Sequence, residues 1–291
     1  MGHILAIFSV VVWGGTFSST KALLDSFSPA EILFIRFFVA YIFLSLLCRS
    51  YIGFSGFKNE WLFVLAGGSG GCLYFLAENI ALTYTTASNA ALLVAINPLF
   101  TGLLCYLLYG KRLNMYFGVG FTLACVGIVL VVFRGDFSFE VYPLGDMLCI
   151  IAGLIWSCYT LLVGKISAYF SHTSSLAILK RIFFYAWLWS LPFALYSSPL
   201  LEEDLSVFYG RFFEWSNCIN LIFLSLVASG LCYLAWNVSV KHLGELKAST
   251  YIYGVPVVGV GVACVALGEE INMYILIGGL LTLLGLFISQ K

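Results

Sequence analysis

Apolar residues run for about twenty positions at a time along this chain, the length a helix needs to cross a bilayer core, and polar residues gather in the short intervals between runs. With that window the chain divides into ten predicted spans: His3 to Leu24, Pro29 to Cys48, Trp61 to Thr83, Ser88 to Tyr109, Met115 to Phe133, Leu144 to Val163, Ser174 to Tyr196, Ile219 to Val240, Ala248 to Leu267 and Met273 to Ser289. The loops are too short for a soluble domain. The longest interval, Ser197 to Asn217, carries Leu201, Leu205, Phe208, Phe212 and Trp215 at helical spacing among Glu202, Glu203, Asp204, Arg211 and Glu214. That pattern predicts a short helix lying on the membrane surface.

The stretch Asn79–Phe133 is written again 158 positions later, from Asn237 to Ser289. Without a gap, Asn79 falls on Asn237, Pro98 on Pro256, Gly110 on Gly268, Gly120 on Gly278 and Gly127 on Gly285. Gly110-Lys111-Arg112-Leu113-Asn114-Met115-Tyr116 returns as Gly268-Glu269-Glu270-Ile271-Asn272-Met273-Tyr274, and its two clear differences reverse charge. The halves are residues 1–133 and 144–291, each with five predicted spans. Five is odd, so the second copy enters the membrane upside down, which accounts for the reversal. The predicted fold is an all-α integral membrane protein of ten transmembrane helices, arranged as two inverted five-helix repeats. This plan is typical of secondary transporters, which hold substrate near the midplane where the repeats meet.

Composition agrees with burial in lipid. Charged residues make up 10% of the chain and hydrophobic residues 62%, against about a quarter charged in soluble domains, and the mean hydropathy is +1.01. A net charge of zero without a basic run excludes a nucleic-acid partner. The nine cysteines lie almost entirely in apolar runs and never as Cys-x-x-Cys, so neither a disulfide framework nor a zinc site is readable. His3 alone precedes the first apolar run, which argues against a cleaved signal peptide. Placing the N-terminus inside gathers Arg49, Lys58, Lys111, Arg112, Lys165, Lys241, Lys247 and Lys291 on the cytoplasmic face, against Lys21, Arg134 and Arg211 outside. Cytoplasmic loops are enriched in Lys and Arg, so both termini are expected in the cytoplasm.

Glu78 is the only acidic residue deep in a predicted span, and an ionisable group in lipid is a functional hypothesis by default. Arg36 lies at a matching depth, so Glu78 reads either as its ion-pair partner or as a site for a proton or a substrate ammonium. Trp236 takes the place of Glu78 in the second half. Trp13, Tyr74, Trp156, Tyr159, Tyr233 and Tyr253 stand near span centres rather than at the interfaces where Trp and Tyr usually belong. They read as the polar-tipped wall of a cavity or as packing. Tyr74 pairs with Glu78, and Tyr233 with Asn237, at i, i+4 on one helix face. The candidate substrate-binding set is completed by Asn97, which precedes Pro98. Pro98 and Pro256 occupy equivalent mid-span positions and free the carbonyls of Val94 and Ile252; they read as hinges or as packed kinks. Gly67, Gly68, Gly70 and Gly71 loosen the third span or allow close packing, and are no phosphate loop, since no Lys-[Ser/Thr] follows. His3, His172 and His242 are scattered, so no catalytic group, metal or cofactor is called for.

The chain also resembles the drug/metabolite transporter superfamily, in particular its ten-helix EamA-like permeases. The matching motifs are Trp13-Gly14-Gly15-Thr16-Phe17, Pro29-Ala30-Glu31 leading to Arg36-Phe37-Phe38, and Ala81-Leu82-Thr83-Tyr84-Thr85-Thr86-Ala87. Asn97-Pro98, Trp156-Ser157-Cys158-Tyr159, and Pro256 with Gly268-Glu269 follow, so the resemblance runs end to end. One departure is Gly110-Lys111, where the family usually has Gly-Glu. The resemblance implies a carrier of small metabolites through the inner membrane, commonly exporting amino acids or related compounds. Some relatives carry nucleotide sugars, phosphorylated sugars or S-adenosylmethionine. Aromatic walls with one carboxylate and one arginine suit a small zwitterion, and a purine-bearing metabolite is the alternative. An integral-membrane enzyme and a channel are the rival classes; the inverted repeat favours a carrier, with proton coupling through Glu78 as one mode.

Overall fold

The computed structural model describes residues 1–50, 52–54, 56–85, 87–133, 142–197, 205–267, 272–289 and 291. Glu269, Glu270, Arg134 and Glu202 to Asp204, on which the charge reversal and part of the orientation argument rest, lie outside the described residues, as does Leu201. Among the described residues the secondary structure is entirely helical. In chain order the helices are α1 Gly2–Trp13, α2 Thr16–Leu23, α3 Pro29–Leu47, α4 Phe57–Ala66, α5 Tyr74–Tyr84, α6 Ala87–Val94, α7 Asn97–Tyr109, α8 Met115–Phe133, α9 Pro143–Tyr169 and α10 Ser175–Ser197. The remainder are α11 Leu205–Phe213, α12 Trp215–Ile222, α13 Cys232–Leu243, α14 Glu245–Ser249, α15 Gly254–Leu267 and α16 Met273–Ser289. Among the described residues, six helical stretches are long and apolar enough to cross a membrane: Gly2–Leu23, Pro29–Leu47, Asn59–Tyr84, Pro143–Tyr169, Ser175–Ser197 and Trp215–Leu243. Met115–Leu130 and Leu276–Ser289 are shorter apolar helices.

Local chemistry sets the ends. Ser28 caps α3: its hydroxyl accepts from the Glu31 amide at 3.2 Å, its own amide donates to Glu31 Oε2 at 2.8 Å, and Pro29 sits in the first turn. Gly110 closes α7 at φ 64°, a left-handed conformation that costs a residue with a Cβ. Within the interval Ser197 to Asn217 the described residues form a helix, α11, where Arg211 donates to Ser26 O at 2.8 Å and Phe212 packs on Phe27.

The structure departs from the uniform helices that hydropathy predicts in four ways, spread over five spans. The first breaks at Gly14-Gly15, where α15 comes so close that a Cβ on Gly14 would strike Val258; Thr16 Oγ1 donates to the Trp13 carbonyl at 2.8 Å beside the break. The fourth stops at Val94 and restarts at Asn97, with Pro98 in the new first turn. In the ninth, α14 passes through a 3₁₀ turn at Thr250–Tyr253 before α15 begins just ahead of Pro256. Pro98 and Pro256 therefore each adjoin a change in helical geometry. The fourth departure is paired: Gly67–Leu73 and Phe223–Leu231 wind as wide π-helical turns at positions the repeat makes equivalent. In the first of these, a Cβ on Gly67 or Gly71 would collide with α10 at Ala186, and one on Gly70 with the Tyr159 ring. The glycines both permit the close approach and accompany the loosened winding.

α8 crosses α16 through small residues. A Cβ on Gly120 would strike the Gly285 carbonyl oxygen, one on Gly285 the Gly120 carbonyl oxygen, and one on Gly127 the Gly278 carbonyl oxygen and Thr282. The core between the halves is aromatic, with Trp13, Phe37, Phe75, Trp156, Tyr159, Phe183, Tyr233 and Trp236 all buried.

Candidate functional site

The breaks in the first, fourth and ninth spans border a cavity with room for about 30 Å³. Trp13, Thr16 and Phe17 enter from the α1–α2 break, Arg36 from α3, and Tyr74, Phe75 and Glu78 from α5. Ala91, Val94 and Ala95 enter from the end of α6, Trp156 from α9, and Ile252 and Val255 from the 3₁₀ turn and α15. Val94 and Ile252, the residues whose carbonyls the two prolines were expected to free, both border it.

Two tryptophans meet at its floor. The Trp13 and Trp156 rings stand edge to face at 90°, 5.2 Å between centroids, and Tyr74 lies 4.9 Å from Trp156. Trp13 Nε1 donates to the Ala228 carbonyl at 3.0 Å, which fixes the ring against the second π-helical turn. The indole nitrogen of Trp156 is buried with no hydrogen-bond partner.

The charged pair of the sequence behaves differently from an ion pair. Arg36, 2% exposed, donates from Nε to Ser229 Oγ at 2.5 Å and places its guanidinium 4.0 Å from the Phe75 ring centroid. Glu78, also 2% exposed, interacts with the Tyr74 phenol one turn away, and its Oε2 has no hydrogen-bond partner among the described residues. The two charges act on one another electrostatically across the cavity but are not among the ion pairs formed by the described residues. The reading of Glu78 as the direct ion-pair partner of Arg36 is thereby corrected: Ser229 and the Phe75 ring face take that place.

Of the nine residues singled out in the sequence, Trp13, Tyr74, Glu78 and Trp156 border the cavity. The other five are placed elsewhere. Asn97 donates to Gly153 O at 2.9 Å and Ser157 Oγ at 2.8 Å, tying α7 to α9. Tyr159 donates to Asn237 Oδ1 at 2.8 Å, joining α9 to α13, and Tyr233 donates to the Gly70 carbonyl at 2.6 Å, joining α13 to the first π-helical turn. Tyr253 belongs to a separate cluster with Ala95, Ala124 and Ile128. In the place equivalent to Glu78, Trp236 is fully buried against Trp13, so the cavity is one-sided. Residues that sequence reasoning missed are Thr16 and the apolar lining of Phe17, Phe75, Ala91, Ala95 and Val255. Only the Trp13–Phe17 motif carried a signal for two of them.

A buried carboxylate oxygen and an indole N–H without partners, beside a cation and aromatic faces, can satisfy a ligand that carries both donors and acceptors. The model of the EamA-like transporter family matches residues 1–133 and again 143–290. The chain belongs to the EamA-like transporter family. It is 27% identical to a protein of Archaeoglobus fulgidus named as an uncharacterized transporter, over 99% of this chain and 96% of that one. It is 24% identical to a probable amino-acid metabolite efflux pump of Escherichia coli, over 98% and 93%. It is 23% identical to a probable terminal-alkyne amino-acid exporter of Streptantibioticus cattleyicolor, over 98% and 92%. A solved crystal structure superposes with a TM-score of 0.73 at 17% identity, covering 99% of this chain and 96% of the other, which shows the shared fold. This is a multi-pass membrane transporter of the drug/metabolite superfamily, not an enzyme.

Proposed function

We propose that this transporter moves a small zwitterion of the amino-acid class across the inner membrane by alternating access, with both termini in the cytoplasm. The observation that carries the substrate class is the cavity itself. Glu78 offers a carboxylate acceptor, Arg36 a cation at matching depth, and Trp13, Trp156 and Tyr74 an aromatic wall. An ammonium placed near Glu78 and a carboxylate near Arg36 would each meet an opposite charge where desolvation makes an unpaired ion costly. The printed names of two relatives, an amino-acid metabolite efflux pump and an amino-acid exporter, agree with this class. Direction of transport and proton uptake by Glu78 are separate questions that the counterflow assay below addresses.

The architecture proposed for this cycle is ten spans in two inverted halves, residues 1–133 and 144–291. The glycine crossing supports it. Gly120 meets Gly285 and Gly127 meets Gly278, and the repeat relates Gly120 to Gly278 and Gly127 to Gly285. A two-fold axis between α8 and α16 would exchange these contacts, as the proposed inversion requires. The matched π-helical turns and the two proline breaks at equivalent positions point the same way, and the breaks are the proposed hinges.

Counterflow in proteoliposomes tests the reading. A panel of labelled amino acids should include one whose uptake saturates and is accelerated by the same unlabelled compound inside, and an imposed pH gradient reports proton coupling. Exchange confined to nucleoside-type compounds such as S-adenosylmethionine or a nucleotide sugar would replace the substrate class, and flux that never saturates would replace the carrier with a channel.

A further inference from the structure

A second pocket lies away from the transport cavity, where the C-terminal end of α3 meets the first turns of α10. About 250 Å³ is bordered by Tyr41, Ile52, Ala177, Lys180, Arg181 and Phe184. Its charge does not cancel. Arg181 is held by Glu60, with Nη2 2.7 Å and Nε 2.9 Å from Oε1, and Tyr185 donates to the same carboxylate oxygen. Among the described residues Lys180 meets no carboxylate: its ammonium donates to the carbonyls of Cys48 at 2.9 Å and Ser50 at 2.7 Å, and its third N–H finds no acceptor among them. The local sum of Glu60, Arg181 and Lys180 is one positive charge, held at the mouth of an otherwise apolar pocket.

The pocket continues as an aromatic stripe along α3 and α10. Tyr41 lies 5.9 Å from Phe184 and stacks parallel to Trp187 at 6.3 Å; Trp187 in turn lies 5.5 Å from Phe38, which stacks on Phe34. Phe34, Phe38 and Tyr41 follow one another at four and three residues, a single face of the helix about 10 Å long. Phe34 and Phe38 also border a third, wholly different space, an apolar groove of about 340 Å³ between α3 and α12 lined further by Val39, Leu221 and Ile222. A cation, an aromatic shelf and an apolar groove succeed one another along α3.

We propose that this surface is a binding site for an anionic phospholipid of the leaflet at this end of α3, which is the cytoplasmic leaflet in the orientation proposed above. The lipid phosphate accepts the remaining N–H of Lys180, and an acyl chain follows Tyr41, Trp187 and Phe38 into the groove. Basic pockets between transmembrane helices recognise anionic headgroups in this way. A zwitterionic lipid brings its own cation to the same place and loses the net attraction. The site is separate from the cavity of Trp13 and Glu78, so it does not depend on which solute is carried.

The purified full chain in a neutral detergent provides the test, with phosphatidylglycerol and phosphatidylcholine of identical acyl chains as probes and lipid retention in native mass spectrometry as the readout. Phosphatidylglycerol should be retained about fivefold more tightly, as ~1 kcal/mol per basic residue near a membrane surface converts. Lys180→Gln should abolish that preference and Lys180→Arg keep it. Equal retention of the two lipids by the wild type, or an unchanged preference in Lys180→Gln, would overturn the site. So would inorganic phosphate raising the thermal midpoint as phosphatidylglycerol does, since that would make the ligand a free anion. Because Lys180 also holds the segment after α3, Lys180→Gln needs a companion that leaves the protein intact. A photoactivatable phosphatidylglycerol on the wild type should label the peptides holding Tyr41 and Phe184, and labelling confined to other helices counts against the proposal.

Discussion

Arg36 donates to Ser229 at 2.5 Å rather than to Glu78, joining α3 to the second π-helical turn and leaving a carboxylate oxygen of Glu78 without a hydrogen-bond partner. The guanidinium is already supported by a hydroxyl and the Phe75 face, so neutralising Glu78 does not strand it. Glu78→Gln should therefore fold with a stability change within about 1 kcal/mol while losing transport at least ~10-fold, the loss of about 1.4 kcal/mol of binding. The exchange Arg36→Glu with Glu78→Arg should rescue nothing, because the arginine would leave Ser229. Thermal unfolding of the purified variants beside counterflow checks both halves, and an exchange that restores transport would return the pair to a simple salt bridge.

Ser229→Ala gives the complementary result. Removing the acceptor leaves a buried charged donor short of a partner, at a cost of about 1–3 kcal/mol, so the thermal midpoint should fall. Transport per folded molecule should fall as well if Arg36 loses its aim into the cavity. An unchanged midpoint would show that the Phe75 ring alone suffices.

Pro98 and Pro256 adjoin the two changes of winding that bring Val94 and Ile252 to the cavity. As hinges, their replacement by Ala should slow counterflow with little loss of folded protein, since Ala permits the continuous helix that the cycle must bend. Transport at the wild-type rate in both variants would leave the prolines as packing features.

The α8–α16 crossing tolerates nothing larger than hydrogen at its glycines. Gly120→Leu and Gly127→Leu should each cost about 1–3 kcal/mol or more by overpacking, seen as reduced yield of folded protein. Gly118→Leu, where a Cβ meets nothing within 4 Å, is the control and should express normally. If the crossing is the axis of an inverted repeat, cysteine labelling should also find Lys111 in the cytoplasm and Glu269 outside; both on one face would refute the inversion.

The sequence by itself determined where the apolar helices run, that the chain is a membrane protein, and that its halves repeat, because hydropathy and internal identity are properties of the linear chain. Met115 to Phe133 and Met273 to Ser289 begin and end as hydropathy alone places them. It also marked Trp13, Tyr74, Glu78 and Trp156, since a charge or a polar-tipped ring in mid-span is visible without coordinates. What it did not contain is the rotation of each helix about its axis. Tyr159 and Tyr233 are marked in the sequence as Trp156 is, yet one turns to the Asn237 amide and the other to the Gly70 carbonyl, which a glycine-rich wide turn brings within reach of its hydroxyl. The second wide turn puts Ser229 where Arg36 reaches it, and Glu78 borders the cavity. Depth follows from counting residues; the choice of partner was decided only when helices from both halves closed around one space.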